Sequence, residues 1–351
     1  MLIEQNIMKK KQLKRIFRIL FIITSISSLW FVPWILVKAW ILPLPDTVQE
    51  QVEEAISHGV DGMIVYVDEA GKPPAFYAAG WHDRENKIPA NPNALFKIGS
   101  ITKLYVAVAA TKLIKTKHLS LDKTLADYFP ELIGRIENAN EITLRMMLQH
   151  RSGIPNFTDH TDYWVNPPDA RQEKLEYALD LPASFKPDKG YEYSNTNYML
   201  ISDLIDKVLG YSHQQYIKEE ILIPLNLNNT FGSLHNVNIN DVMSGYYVGI
   251  ENDIKTDYSG LMIATAQDVG VFLRALNDGS VFNEGEQEIY SYVYEHGGLL
   301  PGYQCLAEYH NEIDTVVVQF MNTTNFDGYN WNLSQIVINR IVKIIKCKKD
   351  Q

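Results

Sequence analysis

Polar and apolar positions divide the chain into a basic head, a long uncharged run, and a body with strand-like runs at both ends of a mostly helical middle. Lys9, Lys10, Lys11, Lys14, Arg15 and Arg18 precede residues 19–37, which contain no charge. A run of that length predicts a helix able to cross a bilayer. Trp30, Trp34 and Trp40 gather towards its far end, as interfacial aromatics do. Apolar residues continue past Ser25 and Ser28, and no small-x-small site closes the run, so the segment reads as an uncleaved signal anchor. The basic flank is N-terminal. The positive-inside rule therefore places residues 1–18 in the cytoplasm as a basic tail, residues 19–40 in the cell membrane as a single pass, and the body outside.

In the body, residues 48–56 have helical spacing, and residues 62–67 and 75–79 are apolar runs separated by a polar, Gly- and Pro-containing loop, a hairpin signature. Residues 101–114 are almost all apolar or small, which predicts a helix buried on every side. Further helices are expected at 143–149, 171–179 and 197–209. Ser212 with Gln215, and Thr265 with Asp268, have capping-box spacing and start helices at His213 and Ala266. Ser120 reads as a surface N-cap leading into residues 125–129. Residues 303–309 and 315–321 read as strands, and 333–345 as a terminal helix. Strands at both ends with helices between predict an α+β fold. Its antiparallel sheet is built from both chain ends and flanked by helices, with an inserted, mostly helical subdomain, over residues 45–346. The cleft between the two parts is the natural ligand site.

Charge sharpens the division. Residues 1–43 carry seven Lys/Arg and one Glu, while the whole chain stands at −10, so residues 44–351 carry a net −16. An acidic body argues against nucleic acid or anionic lipid as its main partner. Cys305 and Cys347 are too few and too poorly placed to form a disulfide framework.

Chemistry enters at Ser100. It opens the buried helix, and Lys103, three residues on, lies on the same face. A serine hydroxyl needs a neighbouring base to act as a nucleophile, and a lysine serves when its surroundings favour the neutral amine. The same Ser-x-x-Lys spacing recurs at Ser120 and Lys123, where the flanking residues are polar. Tyr193 and Asn195 form a Tyr-x-Asn at a helix start after a Pro and Gly turn: a proton-relaying phenol and a carbonyl-fixing amide, or a packed aromatic and an N-cap. His296, Gly297 and Gly298 precede the last strands. They read as a backbone that a ligand can approach, beside a switchable histidine, or as a glycine turn.

In this order, Ser100-Ile101-Thr102-Lys103, Tyr193-Ser194-Asn195 and His296-Gly297-Gly298 resemble the motifs of the serine β-lactamase and penicillin-binding protein-like family, which includes class C β-lactamases, D,D-peptidases and related esterases. The resemblance extends through residues 119–122, 148–153, 224–225 and 264–268, and covers about residues 50–345. It implies a β-lactamase/transpeptidase-like fold and an acyl-enzyme on Ser100, with Lys103 and Tyr193 moving the proton. It also implies an oxyanion between the Ser100 and Leu299 N–H groups, an acyl side chain held by Asn195, and His296 on the leaving side. Neither cofactor nor metal is expected. The motif set looks most like that of D-alanyl-D-alanine carboxypeptidases. In those relatives, however, the position of Gly297 is usually a Thr or Ser whose hydroxyl meets a substrate carboxylate. The expected partner is a small-molecule or peptide acyl substrate (a cell-wall peptide, β-lactam or ester), with the membrane as anchor. A reading of another class is a non-catalytic homologue that binds the wall or a partner protein.

Overall fold

The uncharged N-terminal run does not form one rod. In the computed structural model, which describes residues 2–164, 168, 170–257, 261–325 and 328–349, helix α1 (Leu2–Ser28) passes through a 3-10 turn at Leu29–Phe31. Helix α2 (Trp34–Ile41) then leaves at a bend of 77°. The cause is Pro33, which lacks an N–H and drives Val32 into extended backbone at φ −72° and ψ 128°. Among the described residues no single helix is long and apolar enough to cross a membrane. The straight anchor expected over residues 19–40 is thus replaced by a bent pair that reaches that length and composition only together. The chain divides at Leu44 and Pro45 into two compact units.

The second unit opens with α3 (Val48–Ile56), closed by a capping box. Thr47 Oγ1 accepts from Glu50 N at 3.1 Å, and the Glu50 carboxylate accepts from Thr47 N at 3.0 Å. There follow β1 (Gly62–Glu69), β2 (Ala75–Asp83), β3 (Ile88–Pro89) and β4 (Phe96–Lys97), and a 3-10 turn at Gly99–Ile101 that runs into α4 (Thr102–Lys115). The helical middle holds α5 (Leu125–Tyr128), α6 (Leu144–Leu148), α7 (Arg171–Glu176), α8 (Asn195–Leu209) and α9 (His213–Ile217). Short strands β5 (Thr230–Phe231), β6 (Tyr246–Tyr247) and β7 (Ile263–Ala264) lead to α10 (Ala266–Asp278). The chain closes with β8 (His296–Leu300), β9 (Tyr303–His310), β10 (Thr315–Met321), β11 (Thr323–Thr324) and α11 (Tyr329–Lys349).

The main sheet has six strands in the order β3-β2-β1-β10-β9-β8, every pair antiparallel. The two chain ends meet at its centre, where Met63 lies opposite Met321 and Glu69 opposite Thr315. Residues 63–67 are all buried because both faces are covered. Tyr66 packs under Gly270 of α10, and Gln319 on the other face donates to Ser334 Oγ of α11 at 2.6 Å. Helix α4 is buried from Lys103 to Leu113, and its Tyr105 stacks on Phe272 of α10 at 3.7 Å. Burial of each large side chain of this kind contributes about 1.5–3 kcal/mol.

Two local expectations change. Thr124, not Ser120, caps α5: its Oγ1 accepts from Asp127 N at 3.1 Å, and the Asp127 carboxylate accepts from Thr124 N at 2.8 Å. The His296-Gly297-Gly298 stretch is not a turn before the strands but the start of edge strand β8, with Gly298 opposite Cys305. Both cysteines are free.

Candidate active site

Ser100 is positioned by its own tight turn. Ile98 N donates to Met262 O at 3.2 Å, and Ile101 N donates to Ile98 O at 3.1 Å. Gly99 between them holds φ +52°, in the left-handed region that glycine adopts without steric cost. Strand β8 lies hard against this turn. A Cβ on Gly298 would stand 2.2 Å from the Ile98 carbonyl oxygen, and a Cβ on Gly99 would stand 3.3 Å from Leu299 N. Bare backbone on both sides therefore brings the Leu299 N–H beside the residue that carries the hydroxyl.

The Ser100 hydroxyl lies between two polar groups. Lys103 Nζ donates to Ser100 Oγ at 3.0 Å, and the Tyr193 hydroxyl is 2.7 Å from it. Lys103 is buried, and its Nζ stands 4.9 Å from the centre of the Tyr193 ring. Its Nζ also donates to Asn195 Oδ1 at 2.7 Å, which holds the amine towards Ser100. Asn195 is braced in turn: its backbone N donates to Asn156 Oδ1 at 2.9 Å, and its Nδ2 donates to Thr158 Oγ1 at 3.1 Å. Both ends of the Asn195 amide are engaged, so in this structure it positions Lys103; a substrate's side chain would have to share it.

His296 differs from its expected role as a switchable donor or cation. Ser194 N donates to His150 Nδ1 at 3.2 Å, which leaves the proton of His150 on Nε2, 3.4 Å from the Tyr292 hydroxyl. Tyr292 reaches His296 Nε2 at 2.7 Å, and His296 Nδ1 meets the carbonyl of Gly297. Burial, and next the Lys103 charge, lower His150 to about 3 and His296 to about 4. Both rings are therefore neutral at neutral pH, and both nitrogens of His296 already have partners.

The pair makes a testable contribution to stability. Unfolded, these histidines take up protons as the pH falls through about 6.5; folded, they resist until about 4 and 3. The stabilisation is complete above pH 6.5 and is lost between the two limits, at about 1.4 kcal/mol per unit for each ring. Urea midpoints should hold between pH 8 and 7, then fall steadily to pH 5. His150→Asn should flatten that fall; an equally steep fall in the variant would refute the assignment.

A cavity of about 730 Å³ opens over Ser100, with Val106, Phe157, Met199 and Leu300 among its apolar walls. Among the described residues, no cluster of three His, Cys, Asp or Glu side chains is placed to hold a metal. Of the residues singled out from sequence, Ser100, Lys103, Tyr193, Asn195, His296, Gly297 and Leu299 all line this cavity or its polar network, and Gly298 spaces the strand from the turn. Asn156, Thr158 and Tyr292 were missed. The alternation of Tyr290, Tyr292 and Tyr294 ahead of His296 was the one available signal for Tyr292.

The family model described as Beta-lactamase matches residues 44–292. The chain belongs to the beta-lactamase family. It falls within the wider group of serine β-lactamase and penicillin-binding protein-like chains. The matched region of this family member ends at Tyr292, short of β8. Protein flp of Staphylococcus aureus (strain MW2) is 28% identical over 188 residues, covering 52% of this chain and only 38% of that relative's length. The putative penicillin-binding protein PbpX of Bacillus subtilis (strain 168) is 25% identical over 290 residues, 76% of this chain and 70% of its own. The D-amino acid amidase of Ochrobactrum anthropi SV3 shares the fold at TM-score 0.76 with 22% identity, over 86% of this chain and 98% of the amidase. A class C β-lactamase of Rhodobacter sphaeroides does so at 0.66 and 19%, over 85% and 100% of the two chains.

Proposed function

We propose that this family member is a membrane-anchored hydrolase, its catalytic unit on the outer side of the cell membrane, that works through an acyl-enzyme on Ser100 and acts on amide or ester substrates rather than on D,D-peptidase-type cell-wall peptides, whose leaving D-alanine carries a carboxylate. The observation that carries the reading is the Ser100 hydroxyl held between Lys103 Nζ at 3.0 Å and the Tyr193 hydroxyl at 2.7 Å. Ser100 Oγ bonds to the substrate carbonyl carbon, and its proton passes to the Lys103–Tyr193 pair. The developing oxyanion is received by the N–H groups of Ser100 and Leu299, each such donor being worth about 3 kcal/mol of barrier. The leaving group departs with the proton returned by the same pair. Water then attacks the ester, regenerating Ser100 and releasing the acid.

A specific feature favours amide or ester substrates without a free carboxylate on the leaving side. His296 is neutral there, and Gly297 has no hydroxyl, so a carboxylate would lack a charged or hydroxylic partner at β8. Hydrogen bonds to charged groups are worth about 1.5–3 kcal/mol, which corresponds to about ten- to a hundredfold in acylation. Amino acid amides are substrates of this kind, and a D-amino acid amidase has the same fold. The test is intact-mass measurement after exposure to benzylpenicillin, a D-Ala-D-Ala peptide, a D-amino acid amide and an acyl ester. An acyl increment is expected, faster with the amide or ester than with penicillin; no increment with any of the four overturns the reading.

Anchoring rests on the basic residues before the uncharged run and on the combined length of the bent helix pair. Protease added to intact cells should digest the catalytic unit and spare an N-terminal tag. A soluble mature form beginning near residue 29 would refute the anchor.

A further inference from the structure

A second cavity, of about 720 Å³, adjoins the one over Ser100. Its walls include Tyr292, Val293 and Leu306, and it shares Tyr193, His296, Gly297 and Trp331 with the first cavity. These four residues form the partition between the two spaces. Tyr193 is occupied with Ser100, His296 is held by Tyr292, and Gly297 offers only backbone. Trp331, from the first turns of α11, is the large apolar side chain of the partition, and it stands directly over the bare strand. A Cβ on Gly297 would lie 2.7 Å from Trp331 Cη2, closer than to Leu306 Cδ2 at 3.1 Å. The indole thus fills the space that any side chain at position 297 would need.

On the acyl-enzyme reading, with His296 on the leaving side, the partition faces the leaving group. A leaving atom must be within reach of the group that returns its proton. Tyr193, in hydroxyl contact with Ser100, faces His296 with ring centres 6.1 Å apart. The acyl portion is then left to the apolar space lined by Phe157 and Met199.

We propose that Trp331 is the specificity-determining wall for the leaving group: it closes the second cavity to a bulky leaving group and restricts the enzyme to small, uncharged ones, such as the ammonia of a primary amide or a short alcohol. The inference rests on the acyl-enzyme reading above and adds to it the size limit and the residue that sets it. Shortening Trp331 joins the two cavities into one continuous cleft, and it also frees the space over Gly297.

The experiment compares kcat/KM for a methyl ester and a 2-naphthyl ester of one acyl group in wild type, Trp331→Ala and Trp331→Phe. Covalent labelling by a small fluorophosphonate reports that Ser100 remains competent in each. The naphthyl-to-methyl ratio should rise at least tenfold in Trp331→Ala and by less in Trp331→Phe. In a second arm, Gly297→Ala should slow labelling severalfold in the wild-type background and much less beside Trp331→Ala. An unchanged ester ratio in variants that still label overturns the role of Trp331 and leaves the acyl-enzyme reading standing. A wild type that neither labels nor turns over either ester overturns both.

Discussion

Ser100→Ala should show no covalent labelling by a fluorophosphonate or a fluorescent penicillin, and its acylation rate should fall at least a thousandfold. Among the described residues the partners of Ser100 Oγ are Lys103 Nζ and the Tyr193 hydroxyl, and neither is a second serine that could take over the role. Removing the nucleophile of a cooperating set costs about as much as removing the whole set. Ser120→Ala supplies the contrast. Ser120 belongs to the same four-residue spacing, but Lys123 is exposed and its ammonium lies over the Tyr128 ring at 5.7 Å rather than at a hydroxyl. That variant should label at the wild-type rate. Normal labelling of Ser100→Ala would remove the central assignment.

Gly298→Ala should be the most damaging single-methyl change in the site. Its Cβ would stand 2.2 Å from Ile98 O and 2.5 Å from Cys305 Sγ. Ile98 O is backbone of the turn that presents Ser100, and it accepts from both Ile101 N and the Cys305 thiol. It yields only if the turn moves. Overpacking of this kind costs about 1–3 kcal/mol of stability. The displacement also parts the Ser100 and Leu299 N–H groups, and loss of one such donor alone is worth about 10²–10³ in rate. The expected result is a lowered denaturation midpoint together with acylation down at least a hundredfold. Acylation within threefold of wild type would show that the strand-to-turn spacing is not what aligns the donors.

Local chemistry was legible in the chain. The bounds 48–56 of α3 follow from a capping box whose two hydrogen bonds span three residues, and β10 emerges as read, at residues 315–321. The Ser100–Lys103 pair needs only one turn of helix to meet, so its spacing already implied its contact. The meeting of both chain ends in one sheet was also readable, because apolar strands at the termini must pair with something to bury their edges. The bend at Pro33 was legible in principle. A count of uncharged residues outweighed it, although a missing N–H and a crowded preceding residue act locally.

The remainder was decided by tertiary contact. Gly297 and Gly298 left open an exposed backbone beside a strand or a turn, because glycine has little intrinsic preference for strands; pairing with β9 and the approach of Ile98 make them strand. His296 carried the chemistry of a pH switch in the sequence, yet burial beside Lys103 and the Tyr292 hydroxyl make it a neutral ring with no free nitrogen. The brace on Lys103 comes from Asn156 and Thr158 through Asn195, across 39 and 37 residues of chain. Trp331 was one more apolar residue near the end of the chain. The sequence by itself singled out the side chains that the fold brings together around Ser100, because residue type and short spacing are local properties. Which of them are charged, which are already engaged, and how much room the leaving group has depend on burial and on partners distant in sequence, and only the folded structure decided those.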